Sequence, residues 1–216
     1  MTRRRHVPAL SVLWLLVLVA GAVVARTPAI LHLNRAVADT LRPVALRYGW
    51  LNVIWVVGGL PVTLAVLLIG LFAVPRLRGR ACAVVLAAVC GSLIELLLKH
   101  LIALPVPPAV PAPSFWNHLS ASLNFGPSNL TPILHRLFPH ARQASGPGLF
   151  PGSYPSGHVF RTTFVAGVLL PGRVRWVALL VAAAAAFMTV ATGGHWLWDT
   201  LGGALLAVSM GMLAGV

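Results

Sequence analysis

Side chains able to do chemistry are few in this chain, and they fall in three short stretches. Lys99 and His100 close one long apolar run, Pro155-Ser156-Gly157-His158 opens another, and His195 and Asp199 stand at the start of the last. A helix that begins at Ser156, Gly157 and His158 turns free backbone N–H groups and its positive dipole end toward an anion. Gly157 has no Cβ and lets that backbone come close. Lys99 adds a point charge suited to a phosphate. His195 and Asp199 are four residues apart, which on a helix puts them on one face. The carboxylate can then hold one imidazole nitrogen and leave the other as a nucleophile. His158 remains to give a proton to a leaving oxygen. Anion cradle, nucleophile, orienter and acid together describe phosphoryl transfer with no metal and no cofactor. The sequence contains no C-x-x-C and no metal-type Cys/His grouping.

The elements that must position these groups follow from composition. Of 216 residues, 58% are hydrophobic and 9% charged, with a mean hydropathy of +0.89. A soluble domain carries about a quarter charged residues, so the surface of this chain matches lipid rather than water. The length suits a single membrane domain over 1–216. There are 16 Lys+Arg against 3 Asp+Glu, a net charge of +13. The basic residues gather in short connections between apolar runs, a pattern of membrane topology and anionic headgroups rather than of nucleic-acid binding. Cys82 and Cys90 share one apolar run about 12 Å apart, too far for a mutual disulfide, and are expected to be buried.

Six apolar runs can be traced, at about Val7–Ala25, Gly49–Val74, Ala81–Leu104, Pro155–Leu170, Trp176–Thr192 and Trp196–Val216. Most reach or approach the ~20 residues that span a hydrocarbon core. The first follows Arg3–Arg5 and is read as an uncleaved helix rather than a signal peptide. With the amino terminus cytoplasmic, six crossings put Arg3–Arg5, Arg76–Arg80 and Arg173–Arg175 inside, as the positive-inside rule requires. Both termini are then cytoplasmic, and the three chemical stretches meet at the extracytoplasmic ends of their helices. Ionisable groups at such a depth are costly without a role. The segment 26–48 has the spacing of an amphipathic interfacial helix. The connection 105–154 opens with PVPPAVPAP, which cannot be helical, and is expected to form an extracytoplasmic lid. The expected fold is therefore all-α: six transmembrane helices and a lid, in the inner or plasma membrane.

Pro155-Ser156-Gly157-His158 followed by His195-x-x-x-Asp199, on such a core, resembles the type 2 phosphatidic acid phosphatase superfamily. The likeness spans roughly residues 49–216. The family pattern is Lys, six residues, Arg-Pro; then Pro-Ser-Gly-His; then Ser-Arg, five residues, His, three residues, Asp. Lys99 and Pro107 fall at the first spacing, but the arginine position is Val106, and Met188 and Thr189 stand at Ser-Arg. Both motif arginines are thus replaced, which removes two charge-assisted contacts from a pocket for pentavalent phosphorus. Arg161, three residues after His158, is the expected replacement. Glu95, four before Lys99, is expected to pair with it along the helix.

The resemblance implies a lipid phosphate or diphosphate phosphatase. His195 would form a phosphohistidine, His158 would be the acid and Asp199 the orienter. Lys99, Ser156 and Gly157, with Arg161, would hold the phosphate. The partners implied are a lipid phosphate substrate and membrane lipids; the sequence does not give an oligomeric state. A phosphotransferase acting on a glycolipid acceptor and a non-catalytic lipid-phosphate binder are the alternatives.

Overall fold

The computed structural model describes residues 7–102, 104–108, 110, 111, 113, 115, 116, 118, 119, 152–170 and 172–216. Most of the expected lid, with His135, Arg136, His140 and Arg142, lies outside the described residues. Among those described, all regular structure is helical. We number the helices α1 (Val7–Val24), α2 (Pro28–Arg47), α3 (Ile54–Val57), α4 (Leu60–Ala73), α5 (Pro75–Arg78), α6 (Ala81–Ile102), α7 (Gly157–Leu169), α8 (Arg175–Ala191) and α9 (Leu197–Leu213).

Each apolar run contains helix, but two of the paths turn sharply. Helix α2 leaves α1 at 86°. The turn follows Thr27, an extended residue before a proline at the start of α2; the proline lacks an N–H and its predecessor disfavours the helical region. The second run is broken at Gly58 and Gly59 with a 59° bend, and again a proline in the first turn restarts the helix. Among the described residues, α6 alone is long and apolar enough to cross a membrane as one straight helix, and up to three spans result if each bent pair is one. The segments 176–191 and 197–213 are apolar but shorter.

Helices α7 and α9 form the centre and pack most extensively on each other, with α1 against α9 and α8 against α7. Phe160 and Val168 meet Leu206 and Met210 there, all buried. The outward faces carry exposed Leu16, Ile69, Phe72, Leu93, Leu101 and Leu179, an apolar surface that lipid covers and water would not. Cys82 and Cys90 are free and exposed on α6 rather than buried as expected; they lie on its outward side, where burial comes from the bilayer and not from a neighbouring helix.

Arginines secure one end of this bundle. Arg76 donates to the Leu169 carbonyl at 2.7 Å, where α7 ends. Arg80 donates to the Gly215 carbonyl, just past α9. Cations at helix C-termini answer the orphan carbonyls and the negative dipole end. Ser156, His158, His195 and Asp199 belong to the N-terminal ends of the same two helices, so the cationic connection and the chemical stretches lie at opposite ends.

Candidate active site

Helix α7 starts where its sequence indicates. Ser156 is the N-cap, in extended conformation, and its Oγ accepts from the Val159 N–H at 3.4 Å. Its own N–H donates to the Asp199 carbonyl at 2.9 Å, joining the starts of α7 and α9. His158, in the first turn, packs edge-on to Trp55 with ring centroids 4.7 Å apart. Its Nε2 is buried without a hydrogen-bond partner.

His195 is placed by the end of α8. Gly193 takes φ 74°, the left-handed conformation that glycine enters without cost. Its N–H meets the Val190 carbonyl at 3.1 Å and the Gly194 N–H meets that of Thr189 at 3.0 Å. These are the paired bonds of a Schellman ending. The chain then turns through His195 into α9. His195 therefore precedes its helix, and the expected shared helical face is not the geometry. Asp199 is the third residue of α9, and its Oδ2 accepts the Trp196 N–H at 2.8 Å as a cap. The same oxygen stands 3.5 Å from His195 Nδ1, at ion-pair range without a formed hydrogen bond. The two imidazoles are 6.2 Å apart, centroid to centroid.

Lys99 approaches from α6, but its ammonium is engaged. Nζ lies 2.7 Å from Glu95 Oε1, the pairing the sequence indicated. The other carboxylate oxygen, Oε2, is 2.9 Å from Arg161 Nη1, and Arg161 Nε donates to the Gly58 carbonyl at 3.1 Å. Arg161, the expected phosphate ligand, is thus bound to Glu95 and to the break between α3 and α4. The reason is electrostatic: a carboxylate with 3% exposure must be paired and hydrogen-bonded to remain charged. Lys99, Arg161 and His195 all lie within electrostatic range of His158. The structure therefore brings Lys99, Arg161, Ser156, Gly157, His158, His195 and Asp199 to one region.

Neither replaced motif position supplies a cation. Val106 is exposed, and the buried Thr189 turns its hydroxyl to the Ala185 carbonyl at 2.8 Å. Sequence reasoning found the Glu95–Lys99 pair but missed Arg161 as the second partner of Glu95, and it missed the parts of Trp55 and Gly58. Gly58-Gly59 followed by Pro61 is a breaker signal; Trp55 gave none. Among the described residues, no three His, Cys, Asp or Glu side chains converge. A pocket of about 380 Å³ opens beside the His195 turn, lined by Arg35, Asp39, Arg42, Pro105, Gly193 and Trp196 among others. None of the site residues above lines it.

No family model and no curated protein sequence matches the chain. Its structure is similar to a crystal structure described as that of the first transmembrane PAP2-type phosphatidylglycerolphosphate phosphatase from Bacillus subtilis. The TM-score is 0.64 at 19% identity, over 95% of this chain and 94% of that one. The chain has the fold of a transmembrane PAP2-type phosphatase.

Proposed function

We propose that the protein is a membrane phosphatase that hydrolyses a lipid-linked phosphate or diphosphate, of polyprenyl or diacylglycerol type, on the extracytoplasmic face. The observation that supports it is the meeting of His158, His195 and Asp199 beside Lys99, at one end of a bundle with a PAP2-type fold. Imidazole centroids 6.2 Å apart put both rings within reach of a single phosphoryl group and its leaving oxygen.

In this reading a nitrogen of His195 attacks phosphorus as the bond from phosphorus to the lipid oxygen breaks. His158 gives its proton to that oxygen, and a phosphohistidine results. Water, losing a proton to His158, then attacks the phosphohistidine and frees phosphate and His195. Asp199 stabilises His195 as charge develops on it. Lys99, Arg161, Ser156 and Gly157 receive the phosphate oxygens, the two cations turning from Glu95 to phosphate. Six crossings with both termini cytoplasmic accord with Arg76 and Arg80 at the far end of the bundle.

The test is phosphate release from a panel of purified lipid phosphates and diphosphates by the protein in detergent or nanodiscs. Release that disappears in His195→Ala is expected. Phosphate appearing on a glycolipid acceptor instead of in solution would identify a phosphotransferase. Binding without release, unchanged by His195→Ala, would reject catalysis.

A further inference from the structure

Among the described residues, Glu95 is a buried ionisable group to which the proposed reaction gives only a supporting part. Its surroundings are those of a bound anion. One carboxylate oxygen meets Lys99 Nζ at 2.7 Å and the other meets Arg161 Nη1 at 2.9 Å. The carboxylate also lies against the first residue of α7: a Cβ placed on Gly157 would stand 2.0 Å from Oε1 and 2.5 Å from Oε2. Two cations and the positive end of a helix, opened by a glycine, make up the cradle that the proposed function assigns to phosphate. In this structure the chain's own carboxylate fills it.

We propose that Glu95 is the resident anion of the cradle and fixes the class of ligand it admits: terminal phosphate dianions, and not phosphodiesters. The inference rests on the cradle reading in the proposed function. An incoming ligand must take Lys99 and Arg161 from Glu95. A phosphodiester brings one negative charge, no more than the carboxylate it would displace, and it must also give up its freedom of motion. A terminal phosphate brings nearly two charges and three acceptor oxygens, enough for both cations and for backbone N–H groups of α7. With both motif arginines replaced, Glu95 also keeps Lys99 and Arg161 compensated when no phosphate is bound. The two ion pairs of Glu95 are the contacts that an incoming phosphate would exchange.

Equilibrium binding tests this without turnover. The full-length protein in nanodiscs is titrated with methyl phosphate and with dimethyl phosphate, read by tryptophan fluorescence, since Trp55 packs on His158. At about pH 8, above the second phosphate ionisation near 6, the first is a dianion and the second a monoanion. The wild type is expected to bind methyl phosphate and to show no saturable binding of dimethyl phosphate. Glu95→Gln, which leaves both cations without a competing charge, is expected to bind methyl phosphate roughly tenfold or more tightly and to gain dimethyl phosphate binding. Equal or weaker methyl phosphate binding in Glu95→Gln overturns the proposal and makes Glu95 a positioning residue. If that variant does not fold, the wild type alone decides, because comparable binding of the two esters overturns it too. Lipid phosphate hydrolysis with the wrong binding pattern removes this inference only; the expected pattern without hydrolysis removes the proposed reaction only.

Discussion

Asp199 Oδ2 accepts the Trp196 N–H at 2.8 Å while standing 3.5 Å from His195 Nδ1. One carboxylate oxygen therefore both starts α9 and faces the proposed nucleophile. Asp199→Asn keeps an oxygen for the cap but loses the charge that opposes a developing imidazolium. It is expected to lower kcat by about 10²-fold or more, with a Tm close to wild type. Asp199→Ala should lose both activity and about 0.5–2 kcal/mol of stability. Wild-type turnover in Asp199→Asn would remove Asp199 from the mechanism.

Arg161 joins Glu95 to the Gly58 carbonyl, so its removal acts on the fold as well as on any phosphate. Arg161→Ala is expected to cost roughly 1–3 kcal/mol, and Arg161→Lys to recover only part, since an ammonium cannot span both partners as the planar fork does. In a double-mutant cycle with Glu95→Gln, the two losses should be clearly less than additive. Additive losses would show that the ion pair contributes nothing.

Ala favours a helix over Gly by about 1 kcal/mol, yet Gly157→Ala is expected to destabilise the protein. The new methyl would overlap the Glu95 carboxylate. Truncating that side chain in Gly157→Ala/Glu95→Ala should recover part of the Tm lost by Gly157→Ala alone. A single variant as stable as wild type would contradict the tight contact at this position.

Orientation can be read by labelling. A cysteine at Ser122 should react with an impermeant maleimide in intact cells, in a background without Cys82 and Cys90, and one at Gly79 should be protected. The reverse pattern would put the histidines on the cytoplasmic face.

How much of this was legible in the sequence depends on the range over which each contact acts. The helix start at Ser156, the apolar runs and the Glu95–Lys99 pair are local, set by neighbours within one turn, and they appear in the structure. The 3.6-residue period misled at His195 and Asp199, because Gly193 and Gly194 end α8 and Trp196 restarts the chain as a cap; four residues across a turn are not four along a helix. The commitment of Arg161 was illegible for a different reason. Its partner Glu95 is 66 residues away, and spacing along α7 carries no trace of α6. The break at Gly58 and Gly59 did leave a local trace, a Gly-Gly pair followed by Pro61, which is passed over when the run is read by its length and average hydropathy.

Helix α2 has a further consequence. Buried Asn34 accepts the Trp198 N–H through Oδ1 at 3.1 Å, so a side chain from a helix set at 86° to α1 caps the helix that follows His195. Trp198 in turn donates through its indole to the Gly21 carbonyl on α1 at 2.7 Å. The position of α2 and that of the His195 turn are thereby linked through one residue. A shift of α2 against α1 would be carried to the imidazole, so the corner that joins these two helices becomes a lever on the placement of His195, although the bonded residues stand 164 and 177 positions apart in the chain.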